Sequence, residues 1–304
     1  MPNDKLGLGF GYDFTLADVR CREADLTNLL DNPAIQAAAL PFVVALVFAF
    51  ALSRTRFLAL AVASGLIVVV GLTIGYAFEL PLSSVKKLIA SVLGLTLAAL
   101  VLEAVGLAAR RALVAVFTLA GGLAALWVVQ RVLQQAEGVA ALALALGAFA
   151  IVALTAGVTL AAGQASSLRA AVVSACLGWG AGVLALLGAS ALLAQLGLAL
   201  GSAAAAVALV QMIRGRESPL GWTVAVPVAI AAPLIAVLAS ATGELRWYAL
   251  IPLPVSALAG LTVPTGRIKK SWQAAFVIGC ATLVPVVVAV AMAWLATAPA
   301  SAAG

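Results

Sequence analysis

Residues 170–213 read AAVVSACLGWGAGVLALLGASALLAQLGLALGSAAAAVALVQMI, an uncharged run of 44 residues bounded by Arg169 and Arg214. As one α-helix it would be about 66 Å long at 1.5 Å per residue, roughly twice the 30 Å hydrocarbon core of a bilayer. The run must therefore fold back on itself. Gly188-Ala189-Ser190, near its middle, offers small residues suited to a tight turn. The stretch thus predicts two membrane-spanning helices, 170–189 and 194–213, joined as a hairpin.

The same arithmetic extends outward over a chain of 304 residues. It is 65% hydrophobic and 9% charged, with a mean hydropathy of +1.20. Soluble domains carry about 25% charged residues, so this balance belongs to a membrane. The expected fold class is all-α, a polytopic integral membrane helix bundle. A β-barrel is excluded because its strands would alternate apolar and polar residues. Charges and turn residues divide the chain into ten spans: 34–52, 57–78, 86–109, 112–130, 139–163, 170–189, 194–213, 221–241, 247–265 and 272–296. A polar, acidic N-terminal tail (1–33) precedes the bundle (34–296), and a short C-terminal tail (297–304) follows it. Ten spans suggest five-plus-five halves split near 165, a division many secondary transporters use for inverted repeats. No residue-level repeat accompanies it. Asn32-Pro33, Ser218-Pro219 and Ser271 read as helix starts. The ninth span is short and holds Pro252, Pro254 and Pro264, so a broken or re-entrant segment is expected there.

Basic residues set the expected orientation, because short cytoplasmic loops are enriched in Lys and Arg. With both termini outside the cytoplasm, the inner loops hold Arg54, Arg56, Arg110, Arg111, Arg169, Arg214, Arg216, Arg267, Lys269 and Lys270. The outer short loops hold only Lys86, Lys87, Arg131 and Arg246, and the Lys86-Lys87 pair runs against the rule. Trp127, Trp222, Trp247, Trp272, Trp294, Tyr76 and Tyr248 all fall at span ends, where amphipathic rings prefer to sit. Trp179 alone among the tryptophans falls mid-span. The expected location is a bacterial-type cytoplasmic membrane.

Composition also removes function classes. The chain has no histidine, which takes away the usual catalytic base and the usual zinc, copper and haem ligands. Cys21, Cys176 and Cys280 form no C-x-x-C pair, so neither a metal site nor a redox motif is expected, and no cofactor is implied. Basic residues lie singly or in pairs in loops, which reads as topology and not as nucleic-acid binding. No span carries an aspartate for intramembrane proteolysis. The expectation is a protein that is not an enzyme, with the lipid bilayer as its principal partner.

Three features remain as candidate sites. The first is Glu103 in LVLEAVGLAARR (100–111), the single acidic residue inside a long hydrophobic segment. A carboxylate at the centre of a spanning helix costs about 2.5–3.5 kcal/mol on insertion scales, which favours a function for it. Arg110 stands seven residues later, which on one helix is two turns and a shared face. Glu103 and Arg110 therefore read as a polar pair, either a structural one or one with a proton-coupling or cation-binding carboxyl. The second feature is the set of candidate helix breaks at Pro227, Pro233, Pro252, Pro254 and Pro285. Backbone freed by proline is tolerated in a membrane where protein buries it or where it lines a cavity. The third is the pair of G-x-x-x-G patterns, Gly178/Gly182 and Gly197/Gly201. These predict close packing of the sixth and seventh spans, or a face for a homo-oligomer or membrane partner. The functional expectation is a small-solute transporter or exporter, with a non-catalytic membrane subunit, scaffold or assembly factor as the alternative.

Overall fold

The computed structural model describes residues 32, 35–55, 57–75, 82–106, 110–215, 221–243, 245–268 and 270–297. Among these, eleven α-helices follow one another: α1 Leu40–Leu52, α2 Ala59–Thr73, α3 Ser84–Ala104, α4 Arg110–Val128, α5 Gln130–Gln135, α6 Gly138–Ala165, α7 Ser167–Leu187, α8 Ala191–Arg214, α9 Gly221–Thr242, α10 Pro252–Thr262 and α11 Ser271–Thr297. A π-helical turn, Ile35–Ala39, leads into α1, and 3-10 turns at Trp247–Leu250 and Thr265–Arg267 flank α10. No strand occurs among the described residues. Eight of the helical segments are long and apolar enough to cross a bilayer, and Ala59–Thr73 and Trp247–Thr262 are shorter apolar helices. The protein is an all-α polytopic membrane bundle.

Polar contacts at the helix ends fix the alternation of direction. At one end, which we call the Arg214 end, the Arg214 guanidinium donates to Ser53 Oγ and to Phe50 O (3.1 Å), tying the ends of α8 and α1 together. Ser271 Oγ donates to Met212 O (3.3 Å) and Ser167 Oγ to Gln211 Oε1 (3.2 Å), which brings the starts of α11 and α7 to the same end. At the opposite, Trp247 end, Lys87 Nζ donates to Trp127 O (3.3 Å) and Gln130 Oε1 (3.1 Å), joining the start of α3 to the end of α4. Lys87 thus has a structural task, since its cation caps the Trp127 carbonyl at the C-terminal end of α4 and lies 5.6 Å from the Trp127 ring. That gives Lys87 a task apart from any bearing on orientation.

The opening stretch folds as its length demands. The chain turns at Gly188–Ser190, with Ala189 at φ 60° and Ser190 N–H donating to Ala185 O (3.0 Å). The two helices then run antiparallel in close contact. A Cβ added to Gly178 would lie 2.5 Å from Gly201 N, and one added to Gly197 would lie 2.5 Å from Gly182 N. Backbone therefore meets backbone at two levels, which only glycine allows. All four glycines are buried inside the chain. The expectation that they offer a face to a homo-oligomer or membrane partner is corrected, because α7 and α8 consume that face on each other.

Burial sorts the helices into an inner and an outer set. Of the apolar windows, 89% of Trp222–Thr242 is buried, 78% of Ser167–Leu187 and 72% of Ala191–Arg214, against 28% for Gly138–Ala165 and for Ser271–Thr297. The inner trio α7, α8 and α9 is therefore shielded by protein, and α6 and α11 face lipid on most of their surface. A helix apolar all round belongs in such a centre.

The aromatic expectation holds at most of its described positions and fails at one. Trp127, Trp247, Tyr248, Trp272 and Trp294 are exposed at helix ends. Trp222 is 3% exposed and packs edge-on to Phe117 at 5.6 Å, so it is a core residue. Trp179 sits mid-helix beside Gly201, its Nε1 donating to Ser202 Oγ (3.3 Å), which satisfies the indole away from the headgroups. Tyr76, Pro33 and Ser218-Pro219 lie outside the described residues. Ser271 starts α11 as a helical residue and uses its hydroxyl on α8, so it is not the cap expected of it.

Candidate functional site

The Glu103–Arg110 argument does not survive the course of the chain. α3 stops at Ala104, one residue after Glu103, and Gly106 takes φ 73° before α4 starts at Arg110. Seven residues across that break are not two turns of one helix, so the inference of a shared face is corrected. The Arg110 side chain lies outside the described residues. Glu103 is 5% exposed and continues the buried stripe Leu88, Val92, Thr96, Ala99 of α3. It sits at a helix end in the packed face and is engaged by the protein around it.

The proline expectation is likewise revised. α9 runs unbroken through Pro227 and Pro233, and α11 through Pro285. Pro252 and Pro254 lie in the first turn of α10, where a missing N–H costs no helical bond. None of the five interrupts a helix. Pro227 and Pro233 are buried in the tightly enclosed α9. The ninth predicted span is a shorter apolar segment, a 3-10 turn at Trp247–Leu250 followed by α10. Leu245, near Gly188, lies at the Trp247 end, and Thr265 meets Arg169 at the Arg214 end, so the segment between them runs from one end to the other.

What stops α10 is Pro264. Proline disfavours the helical region for Val263, which takes ψ 121°. Having no N–H, Pro264 also leaves Gly260 O without its helical donor. Arg169 replaces that donor. Its guanidinium donates to Gly260 O (3.0 Å), Leu261 O, Val263 O (2.8 Å) and Thr265 Oγ1 (3.0 Å), and the side chain is 6% exposed. Ser166, the one-residue junction between α6 and α7, aims it: Ser166 Oγ accepts from Arg169 N–H (3.3 Å) and caps α7. Sequence reasoning took Arg169 for a loop charge. The legible signal was Pro264, which needs a donor from elsewhere in the chain. The arrangement is a buried cationic cap on a helix C-terminus, where the dipole favours positive charge.

A candidate place for a ligand lies at the Trp247 end. α6 is held to α4 on one side by small-residue contacts: Gly122 faces the Phe149 ring, and Gly157 faces Thr118. α6 meets α9 closely at the level of Val152 and Ala156, where Gly121, Ile230 and both α6 residues converge. Toward its N-terminus, α6 carries Ala140, Ala143 and Gly147 in the direction of α9, and these are too small to close the gap. The result is a cavity of about 450 Å³ between α6 and α9, with Val237 and Ser240 of α9 opposite and Trp247 at its end. Ala140, Ala143 and Gly147 are exposed, so the cavity opens to the lipid side. A Cβ added to Gly147 meets nothing within 4 Å.

A second cavity of about 540 Å³ adjoins the first, sharing Leu144, Ser240 and Trp247. It adds Gly243, Arg246 and Thr297, and its walls are as polar as they are apolar. Together they form a groove, apolar along α6 and polar at the mouth. Ser240 Oγ and the Arg246 guanidinium have no hydrogen-bond partner among the described residues. No sequence signal marked this groove. The spacing Ala140–Ala143–Gly147 follows one helix face, but small residues are everywhere in this chain, and only the splay of α6 from α9 turns them into a slot. Among the described residues no three His, Cys, Asp or Glu side chains gather as a metal site would require.

The class of protein is thus a multi-pass membrane helix bundle with a lipid-facing groove. Comparison with protein-family models, with curated proteins and with solved structures finds no match to this chain.

Proposed function

We propose that this protein binds and moves a lipid-like amphiphile, as a transporter of the exporter type with the α6–α9 groove as its substrate site. One observation carries the reading: an apolar slot open toward lipid runs on into a polar mouth at the Trp247 end. Its volume lies within the roughly 300–1,000 Å³ of small-molecule sites. A small polar solute is a poorer match. The central helix α9 is apolar and buried around its circumference, and each unpartnered polar group taken through such a core costs about 1–3 kcal/mol. Lateral entry from the membrane avoids that cost. The activity assigned is binding and movement without bond chemistry, in keeping with a sequence that lacks histidine.

The enclosed, solid α7–α8–α9 centre favours a second reading, a non-catalytic membrane subunit that holds a lipid in the groove without moving it. Reconstitution separates the two. Full-length protein in phosphatidylcholine vesicles is expected to speed transbilayer transfer of a fluorescent lysophospholipid, followed by dithionite quenching. Gly147→Leu, which fills the slot, is expected to slow it. Equal rates with and without protein would refute transport, and retained binding would then favour the subunit.

A further inference from the structure

We infer that the groove selects amphiphiles with an anionic head group, held at its mouth by Arg246. The inference rests on the groove reading and adds the ligand's charge to it. Three observations point the same way. First, Arg246 lines the polar cavity beside Ser240 and Thr297, is exposed, and has no ion pair or hydrogen bond among the described residues. Its guanidinium lines the mouth of the groove. A guanidinium with a free fork matches a phosphate or carboxylate oxygen pair.

Second, the cation stands at the right depth. Trp247 follows it directly and is 66% exposed, and Trp294 of α11, 64% exposed, lies at the same end. Such rings mark the headgroup level. A lipid whose chain lies along Ala140, Ala143 and Gly147 therefore brings its head group to Arg246 without leaving the membrane interface. Third, the walls change character in that direction. The α6 portion is almost wholly apolar, Ser240 lines both cavities, and Thr297 and Arg246 appear only in the polar one. Charge, depth and polarity thus converge on a phospholipid-like molecule with a net negative head. In the 240–250 segment the other charged residue is Glu244, which lies outside the described residues, and Glu137, which precedes α6, lines neither cavity.

The test uses the purified full-length protein in a non-ionic detergent and two probes with the same palmitoyl chain, lysophosphatidylglycerol and lysophosphatidylcholine. Binding of each is measured by equilibrium titration. The anionic probe is expected to bind more tightly. Arg246→Gln should weaken it about fivefold, the effect of about one membrane-surface cation, and leave the zwitterionic probe unchanged. Arg246→Lys should keep most of the preference, and Glu244→Gln should not reduce it. Equal affinity of the wild type for both probes, or equal loss of both in Arg246→Gln, overturns the charge selection. Loss of preference in Glu244→Gln overturns it as well. Gly147→Leu should weaken both probes alike, because it fills open space in the slot. If it weakens neither, the groove itself is refuted. If it weakens both while Arg246→Gln spares the preference, the groove stands and the head-group inference fails.

Discussion

Replacing Arg169 by Met tests the cap on α10. The substitution keeps a long apolar stem and deletes the guanidinium, which serves four acceptors: three backbone carbonyls and the Thr265 hydroxyl. Hydrogen bonds to charged groups contribute about 1.5–3 kcal/mol each, and a buried acceptor left unsatisfied costs about 1–3 kcal/mol. Gly260 O has no alternative donor because residue 264 is proline. The other acceptors lie near the Arg214 end and can regain water on a small local opening. Counting one acceptor in full and the remainder in part gives a loss of about 3–4 kcal/mol, concentrated in α10 and its C-terminal turn. Since about 1.4 kcal/mol is a factor of ten, amide exchange over 255–268 should quicken by roughly 100-fold or more. Exchange in α1 and α2 should stay unchanged, since these helices do not contact the cap. Hydrogen exchange with mass spectrometry on the detergent-solubilised protein reads both regions at once. Adding Pro264→Ala restores an N–H at residue 264 and should recover about 1 kcal/mol in the Arg169→Met background. Unchanged exchange at 260–265, or equal acceleration across the whole bundle, would refute the assignment of Arg169 as a local cap.

Three further outcomes are expected. Gly178→Ala pushes a Cβ to 2.5 Å from Gly201 N and should destabilise the bundle by about 1–3 kcal/mol in a thermal melt, whereas Gly147→Ala meets open space and should be neutral or stabilising by up to about 1 kcal/mol. The reverse order would show that the α7–α8 contact is not tight. Glu103→Gln is expected to leave the pH profile of lysolipid transfer unchanged, because the carboxyl sits in the packed face of α3 at its end; a flattened profile would instead make it a coupling group. With the Arg214 end in the cytoplasm, a reporter active only outside the cytoplasm should work when fused after Gly304, and activity of a cytoplasmic reporter there would reverse the orientation.

Much of the fold was legible because a bilayer constrains sequence strongly. Length and charge placed the hairpin at Gly188–Ser190, and the glycine spacing placed α7 against α8. Both are local consequences of rise per residue and side-chain size. The candidate site was not legible in the same way. Glu103 and Arg110 looked like neighbours because sequence spacing was converted to helix geometry across a break, although Gly106, at φ 73°, is the glycine stop signal of a helix end. Proline looked like a helix break, yet within α9 and α11 neighbouring helices support the chain through it. Trp222 looked interfacial, but burial is settled by what packs outside a residue.

The sequence by itself determined that this protein lives in a membrane, roughly where its helices begin and end, and that histidine chemistry is absent. Those properties depend on composition and on distances along the chain. Only the tertiary structure decided that Arg169 is a buried cap, that Lys87 serves the end of α4, and that Ala140, Ala143 and Gly147 line a groove ending at Arg246. Each joins residues about 40 to 100 positions apart. Such juxtapositions arise from how helices splay and pack, which local pattern does not encode.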